Sequence, residues 1–208
     1  MADKHFDHAV ARDDLDRYRR DGSGATARLL RDLLVEHGPL GGALLDVGSG
    51  IGGLTFELLD RGVERAIAVD MSAAYLAAAS DEATRRGRSG AIQFVRGDFL
   101  DVAAQLPAAA LVTLDRVVCC YPFYEPLLEE SLRHAERSFA YSYPRDVWYV
   151  RGMIWVENLV RWARQNAFRT FVHPAARMAE VVERTGFTLV AHRQTRQWRA
   201  DVYVRSRL

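Results

Sequence analysis

One lysine stands among the 28 lysine and arginine residues of this 208-residue chain, and it is Lys4, in an N-terminal tail. An internal Schiff base, a Gly-Lys-Ser/Thr phosphate loop and a lysine general base each need a lysine inside the fold, so the sequence excludes all three. Cysteine is nearly as scarce. Cys119 and Cys120 are adjacent and lack ligand spacing, which excludes a disulfide scaffold and a zinc site and fits a reducing compartment. No metal is expected. Net charge is also lacking: 28 basic against 27 acidic side chains leave +1, so no field gathers nucleic acid or an anionic membrane. No apolar run is long enough to span a bilayer. The start, Met-Ala-Asp-Lys-His-Phe-Asp, carries no apolar signal region. A cytoplasmic protein is expected, folded as one domain over residues 1–208 and working as a monomer or homodimer.

What is present is a core and an alternating pattern. Apolar residues make up 49% of the chain, ample for a buried interior. Residues 8–37 read as two helices broken at Asp21-Gly22-Ser23-Gly24, with Ser23 as N-cap of the second. A continuous apolar run, Ala43-Leu44-Leu45-Asp46-Val47, then reads as a strand covered on both faces. The cycle repeats, with strands at Ala66–Val69, Ile92–Val95, Leu111–Leu114 and Ser138–Tyr141 and helices between them. That spacing argues for right-handed βαβ units and a parallel sheet in a three-layer α/β fold. In the last third, Trp148, Trp155, Leu159 and Trp162 share one face of a long helix, His173-Pro174 opens another helix, and two β segments close the chain.

The strongest chemical signal is Asp46-Val47-Gly48-Ser49-Gly50-Ile51-Gly52-Gly53, directly after the first strand. Glycines there let the backbone turn tightly and approach a ligand. Gly48, Gly50 and Gly53 fit G-x-G-x-x-G, while Gly48, Gly50 and Gly52 fit G-x-G-x-G. The loop alone therefore leaves NAD, another nucleoside cofactor and an unliganded turn open. Its surroundings narrow the choice. Asp70 ends the second strand, 22 residues beyond Gly48, where a carboxylate can accept from both ribose hydroxyls. Asp98 ends the third strand, and Asp46 precedes the glycines. Acids so placed repel a pyrophosphate and attract an ammonium or a sulfonium, which suits S-adenosylmethionine (SAM) better than NAD.

Leu44-Leu45-Asp46-Val47-Gly48-Ser49-Gly50-Ile51-Gly52, Ala68-Val69-Asp70-Met71-Ser72 and Arg96-Gly97-Asp98-Phe99 resemble, in order, successive motifs of the class I SAM-dependent methyltransferases. The resemblance covers roughly residues 25–205. It implies a Rossmann-like fold with a seven-stranded, mostly parallel sheet and an antiparallel C-terminal hairpin. It also implies an N-terminal helical lid over 1–37 and a substrate-side helical insertion after strand five, over 145–173. Position by position, it implies that Gly48, Ser49, Gly50 and Gly52 line the methionine part of SAM. Asp70 would bind the ribose, Met71 would pack on the adenine, and Asp98 with Phe99 would meet the adenine amino group and ring. Leu114 and Asp115 would border the methionine amino group, and Tyr18 would close over the cofactor or simply pack; Asp46, just ahead of the glycines, can hold the loop or attract a cationic ligand. S-adenosylhomocysteine (SAH) is the implied product. Leu114–Pro122, Tyr141–Arg145 and Phe171–Pro174 further resemble the branch containing magnesium-protoporphyrin O-methyltransferase.

Methyl transfer is an in-line displacement, so alignment supplies much of the acceleration. Candidates for catalysis are Tyr121, which can donate, deprotonate or pack, and His173, which reads as a helix cap or a general base. Candidates for the acceptor are Tyr121, Trp148, Trp155 and Arg169, although a tryptophan stripe at helical spacing also reads as core and Arg169 as a solvated charge. The expected activity is methylation of an N, O or S atom of a small aromatic or apolar molecule. A tetrapyrrole O-methyltransferase, an NAD-linked oxidoreductase and a non-catalytic SAM-binding protein are the alternatives. Nucleic-acid methylation is disfavoured, since Leu114-Asp115-Arg116-Val117 stands where an Asn/Asp-Pro-Pro-Tyr element would follow strand four.

Overall fold

The computed structural model describes residues 8–206. Lys4 and the first part of the expected lid lie outside the described residues. Two helices come first, α1 (His8–Asp21) and α2 (Ala25–His37), followed by β1 (Ala43–Val47), α3 (Gly53–Leu59), β2 (Arg65–Asp70) and α4 (Ala73–Arg85). Next are β3 (Ile92–Arg96), the single turn α5 (Phe99–Val102), β4 (Ala109–Leu114), α6 (Tyr124–His134) and β5 (Ala135–Pro144). The chain ends with α7 (Trp148–Ala163), α8 (Ala175–Glu183), β6 (Phe187–Gln194) and β7 (Trp198–Arg205).

All seven strands join one sheet in the order β3-β2-β1-β4-β5-β7-β6. The first five run parallel, and β7 is antiparallel to both β5 and β6. The apolar runs explain the burial. Leu45, Val47, Ile67, Val69, Val112 and Leu114 face the side covered by α6 and α8. Leu44, Ala66, Ala68 and Leu111 face the side covered by α2 and α3. Successive strand residues point to opposite faces; β1, β2 and β4 are covered on both and read as apolar runs, whereas the outer strand β6 alternates in exposure.

The chain steps outward from β1 to β3, then crosses back to place β4 on the other side of β1. That reversal opens a crevice beyond the carboxyl ends of β1 and β4, where open α/β sheets bind ligands. One local expectation fails at the entrance to α2. The N-cap is Gly24, with φ −60° and ψ 164°, and no side chain caps the helix. Ser23 sits one residue too early to do so.

Candidate active site

A cavity of about 770 Å³ fills the crevice. Its floor is the glycine loop, which leaves β1 through three left-handed residues: Gly48 at φ +66°, Gly50 at +55° and Gly52 at +78°. Left-handed backbone is costly for other residues, so glycine is required for this path. The loop is tied to β2. Ser49 N–H donates to the Val69 carbonyl at 3.0 Å, and Gly50 N–H donates to Asp70 Oδ2 at 2.8 Å. The other Asp70 oxygen accepts from Ser72 N–H, also at 2.8 Å. Burial pushes the Asp70 carboxyl up, and these two backbone bonds oppose the rise.

Asp46 is buried beneath the loop and accepts from the hydroxyls of Thr55 at 2.6 Å and Thr113 at 2.7 Å. Burial pushes it up to about 6, against the pull of the two hydroxyls. Asp115 accepts from the Ser142 hydroxyl at the end of β4. Next to it, Arg116 takes a left-handed φ of +60°, unusual outside glycine, and donates its N–H to Ser142 Oγ at 2.9 Å. Asp98 caps α5 through Leu100 N–H and accepts from Tyr121 OH at 2.7 Å.

Of the cofactor residues expected from sequence, Tyr18, Asp46, Gly48, Ser49, Gly50, Asp70, Met71, Phe99 and Asp115 line this cavity. Gly52, Asp98 and Leu114 stand behind its wall. Gly52 packs on Phe56, Asp98 is turned to Tyr121, and Leu114 is buried in the sheet. Tyr121 lines the cavity, but burial, and then its bond to Asp98, push its hydroxyl well above the ordinary tyrosine range. His173 is buried outside the lining. Its Nε2 lies 3.2 Å from the Val118 carbonyl and 3.0 Å from the Tyr121 carbonyl, so this nitrogen is a donor that pins the β4–α6 turn, and burial lowers its pKa. That geometry corrects the expectation of a general base or helix cap there.

The insertion turns the opposite way from the tryptophan stripe. Trp148, Trp155 and Trp162 are 84%, 65% and 67% exposed and do not border the cavity. The inner face of α7 presents Val150, Met153, Ile154, Glu157 and Arg161 to it instead. The start of α7 is fixed by Tyr149 OH, which donates to the Arg196 carbonyl at 2.7 Å in the β6–β7 turn. Arg169 donates to the Asn166 and Phe168 carbonyls and also stands outside the lining. The lining residues that sequence reasoning missed include Ser23, Arg28, Tyr75, Arg116, Trp198 and the inner face of α7. Val150, Ile154, Glu157 and Arg161 do recur at helical spacing, but the larger tryptophans mask them.

Residues 44–140, from β1 to the middle of β5, match the methyltransferase-domain family. No curated protein matches the sequence. Among solved structures, the chain is similar to magnesium protoporphyrin IX methyltransferase from Synechocystis PCC 6803 with bound SAH. The TM-score is 0.71 at 21% identity, over 96% of this chain and 100% of that one. It is also similar to an O-methyltransferase family protein from Burkholderia thailandensis, with TM-score 0.75 at 16% identity, over 97% of this chain and 61% of that one. A third relative is the cyclase SpnF, with TM-score 0.64 at 16% identity, over 86% of this chain and 81% of that one. The chain therefore shares the fold of these solved structures, a seven-stranded mostly parallel sheet closed by an antiparallel hairpin. A cyclase among the relatives shows that this fold alone does not fix a reaction.

Proposed function

We propose that the chain binds SAM in the 770 Å³ cavity and transfers its methyl group to an N, O or S atom of a small apolar or aromatic acceptor, releasing SAH. The observation that carries this reading is the glycine loop tied to Asp70, with Asp46 and Asp115 beside it in the lining of the cavity. The residues present fit such a ligand. A Cβ at Gly50 would meet nothing within 4 Å, so the loop leaves a cradle there that a larger side chain would occupy. Ser49 Oγ is buried without a partner. Acids on the floor favour a cationic cofactor and disfavour the pyrophosphate of NAD.

SAM bound there supplies an electrophilic methyl on a sulfonium. Asp70 spends part of each oxygen on Gly50 and Ser72 and keeps lone pairs for a ribose. The inner face of α7, with Val150, Met153 and Ile154, excludes water and holds an apolar acceptor against the loop. Tyr121 stays protonated and acts by packing or donating. Positioning then carries the acceleration, as suits a thiolate, an amine or an acidic oxygen. A tetrapyrrole acceptor is a second reading, favoured by the similarity to the Synechocystis enzyme across 96% of the chain.

Thermal unfolding with SAH and with NADH tests the reading. A selective ligand at about 100 times its Kd raises stability by about 2.7 kcal/mol. SAH is expected to raise the midpoint and NADH to leave it unchanged; the reverse result refutes the proposal. A panel of aromatic, apolar and tetrapyrrole acceptors, read by SAH release, then separates the two acceptor readings. SAH binding with no turnover on any acceptor would favour a non-catalytic SAM-binding protein.

A further inference from the structure

The helix α7 is apolar on two opposite sides. Its inner face lines the cavity, and its outer face carries Trp148, Trp155 and Trp162, all exposed, with Val156, Leu159 and Val160 beside them. At about 100° per residue, the outer face spans roughly 160° of the helix and holds no charged side chain. A helix that is apolar all round belongs in an interior, and monomeric proteins seldom expose a contiguous apolar patch of this size. Trp148, Gly152, Trp155, Leu159 and Trp162 follow one another at alternating steps of four and three residues, which is the seam of a two-helix coiled coil.

Gly152 marks where a partner fits. Glycine inside a helix costs stability against alanine, and nothing in the protomer requires it: a Cβ there would meet nothing within 4 Å. It leaves a notch between Trp148 and Trp155. An antiparallel two-fold pair of α7 helices seats Trp162 of each copy opposite the other's Gly152, so the bulkiest ring meets the smallest residue. At about 250 Å² for a tryptophan, the three rings leave roughly 500 Å² of each protomer in water. A symmetric pair then covers about 1,000 Å², the area a specific interface must clear. A membrane surface fits the face less well. An interfacial helix sets its apolar side against a strongly charged one, whereas the far side of α7 presents Val150, Met153 and Ile154. Arg151 and Arg161 are paired with Asp146 at 2.5 Å and Glu157 at 3.2 Å, and the net charge of the chain is only +1.

We propose that the outer face of α7 docks on the same face of a second copy of this chain, forming a two-fold dimer through antiparallel α7 helices. Self-pairing about a two-fold axis closes, so the assembly stops at two. Each cavity is built from one chain, and its α7 wall is braced from behind by the partner. The interface uses no residue of the cavity lining, so the inference stands independently of the methyl-transfer reading.

Sedimentation equilibrium of the full chain, without ligand, reads the assembly directly. The wild-type protein is expected to be dimeric, with a Kd on the order of micromolar. Trp155→Glu is expected to weaken the dimer about 30-fold or more, the effect of losing a buried hot-spot tryptophan. Gly152→Gln fills the notch and is expected to weaken the dimer about 10-fold. The same change supplies a better helix former, so the diluted variant melts no lower than the wild type, which separates a lost interface from lost folding. A wild-type protein that stays monomeric up to about 100 μM overturns the proposal; if that monomer co-sediments with phosphatidylserine–phosphatidylcholine vesicles, the face belongs to a membrane instead. A dimer that either variant leaves unchanged overturns it too, since the copies then meet elsewhere or in another register.

Discussion

Gly48 is where the loop meets the end of β4, and the effect of Gly48→Ala can be worked out in parts. An alanine at φ +66° costs roughly 1–2 kcal/mol for the left-handed backbone. Its Cβ would stand 2.4 Å from Val117 Cγ2 and 3.3 Å from Cγ1. Val117 is buried, its χ1 is confined by branching, and it follows Arg116 at φ +60°, so no simple rotation clears the overlap. Forcing a methyl into a packed site costs about 1–3 kcal/mol more, for a total of about 2–5 kcal/mol. Urea unfolding of Gly48→Ala, Val117→Ala and the double variant tests the parts. Val117→Ala alone loses about 2 kcal/mol, at ~0.8 kcal/mol for each buried carbon. In the double variant the overlap is gone, so its loss is expected to fall short of the sum by about 1–3 kcal/mol. Additivity within about 0.5 kcal/mol would mean that a Cβ at Gly48 never meets Val117, and the described loop would be wrong.

Two buried carboxylates give stability slopes of opposite sign. Glu82 is fully buried on α4 and receives Arg85 at 2.6 Å, Arg86 at 2.8 Å and Arg19 of α1 at 2.9 Å. Arg85 first, then Arg86 and Arg19, hold it down to about 2 against the cost of burial. Its stabilisation is present above pH 4.5 and lost as pH falls toward 2. Glu82→Gln is expected to cost about 3 kcal/mol at pH 7 by urea unfolding; a loss under about 0.5 kcal/mol would show that the arginines are solvated. Asp46 runs the other way. Its folded pKa of about 6 lies above the unfolded value of 3.8, so the folded state holds the extra proton. Stability is highest below that window and falls as pH rises through it, by about 3 kcal/mol in all. Measured without ligand, Asp46→Asn is expected to remove that fall; parallel curves for the two proteins refute the burial argument.

The parts of the fold that local chemistry controls were legible. Parallel strands covered on both faces must be apolar runs, and Leu44–Val47 and Leu111–Leu114 read as such. A loop that turns through three left-handed residues must be glycine-rich, and Gly48, Gly50 and Gly52 stand at those positions. What depended on distant partners was not. Periodicity assigned Trp148, Trp155 and Trp162 to one helix face, but which way that face turns is fixed by Tyr149 holding Arg196 across 47 residues. His173 has the local setting of a cap, while its ring answers carbonyls 55 and 52 residues earlier. At Ser23 the local signal itself misled: Gly24 takes the extended conformation that a cap needs, which frees the serine.

The acids at the strand ends carry two duties that sequence alone cannot separate. Asp46, Asp70 and Asp98 each read as ligand contacts, yet each already accepts two bonds from the protein. Asp70 is the sharpest case, because one oxygen carries the glycine loop and the other the turn into α4. A carboxylate accepts at about four lone-pair positions, so a ribose can join without displacing either backbone bond. The loop is thus set before any ligand arrives, and ligand binding and loop order share one group. Replacing Asp70 therefore removes scaffold and contact together, and lost affinity there would not identify a ribose. Ser49 carries no such double duty in its side chain: its Oγ is buried with no partner, so Ser49→Ala reports on the ligand rather than on the framework that holds it.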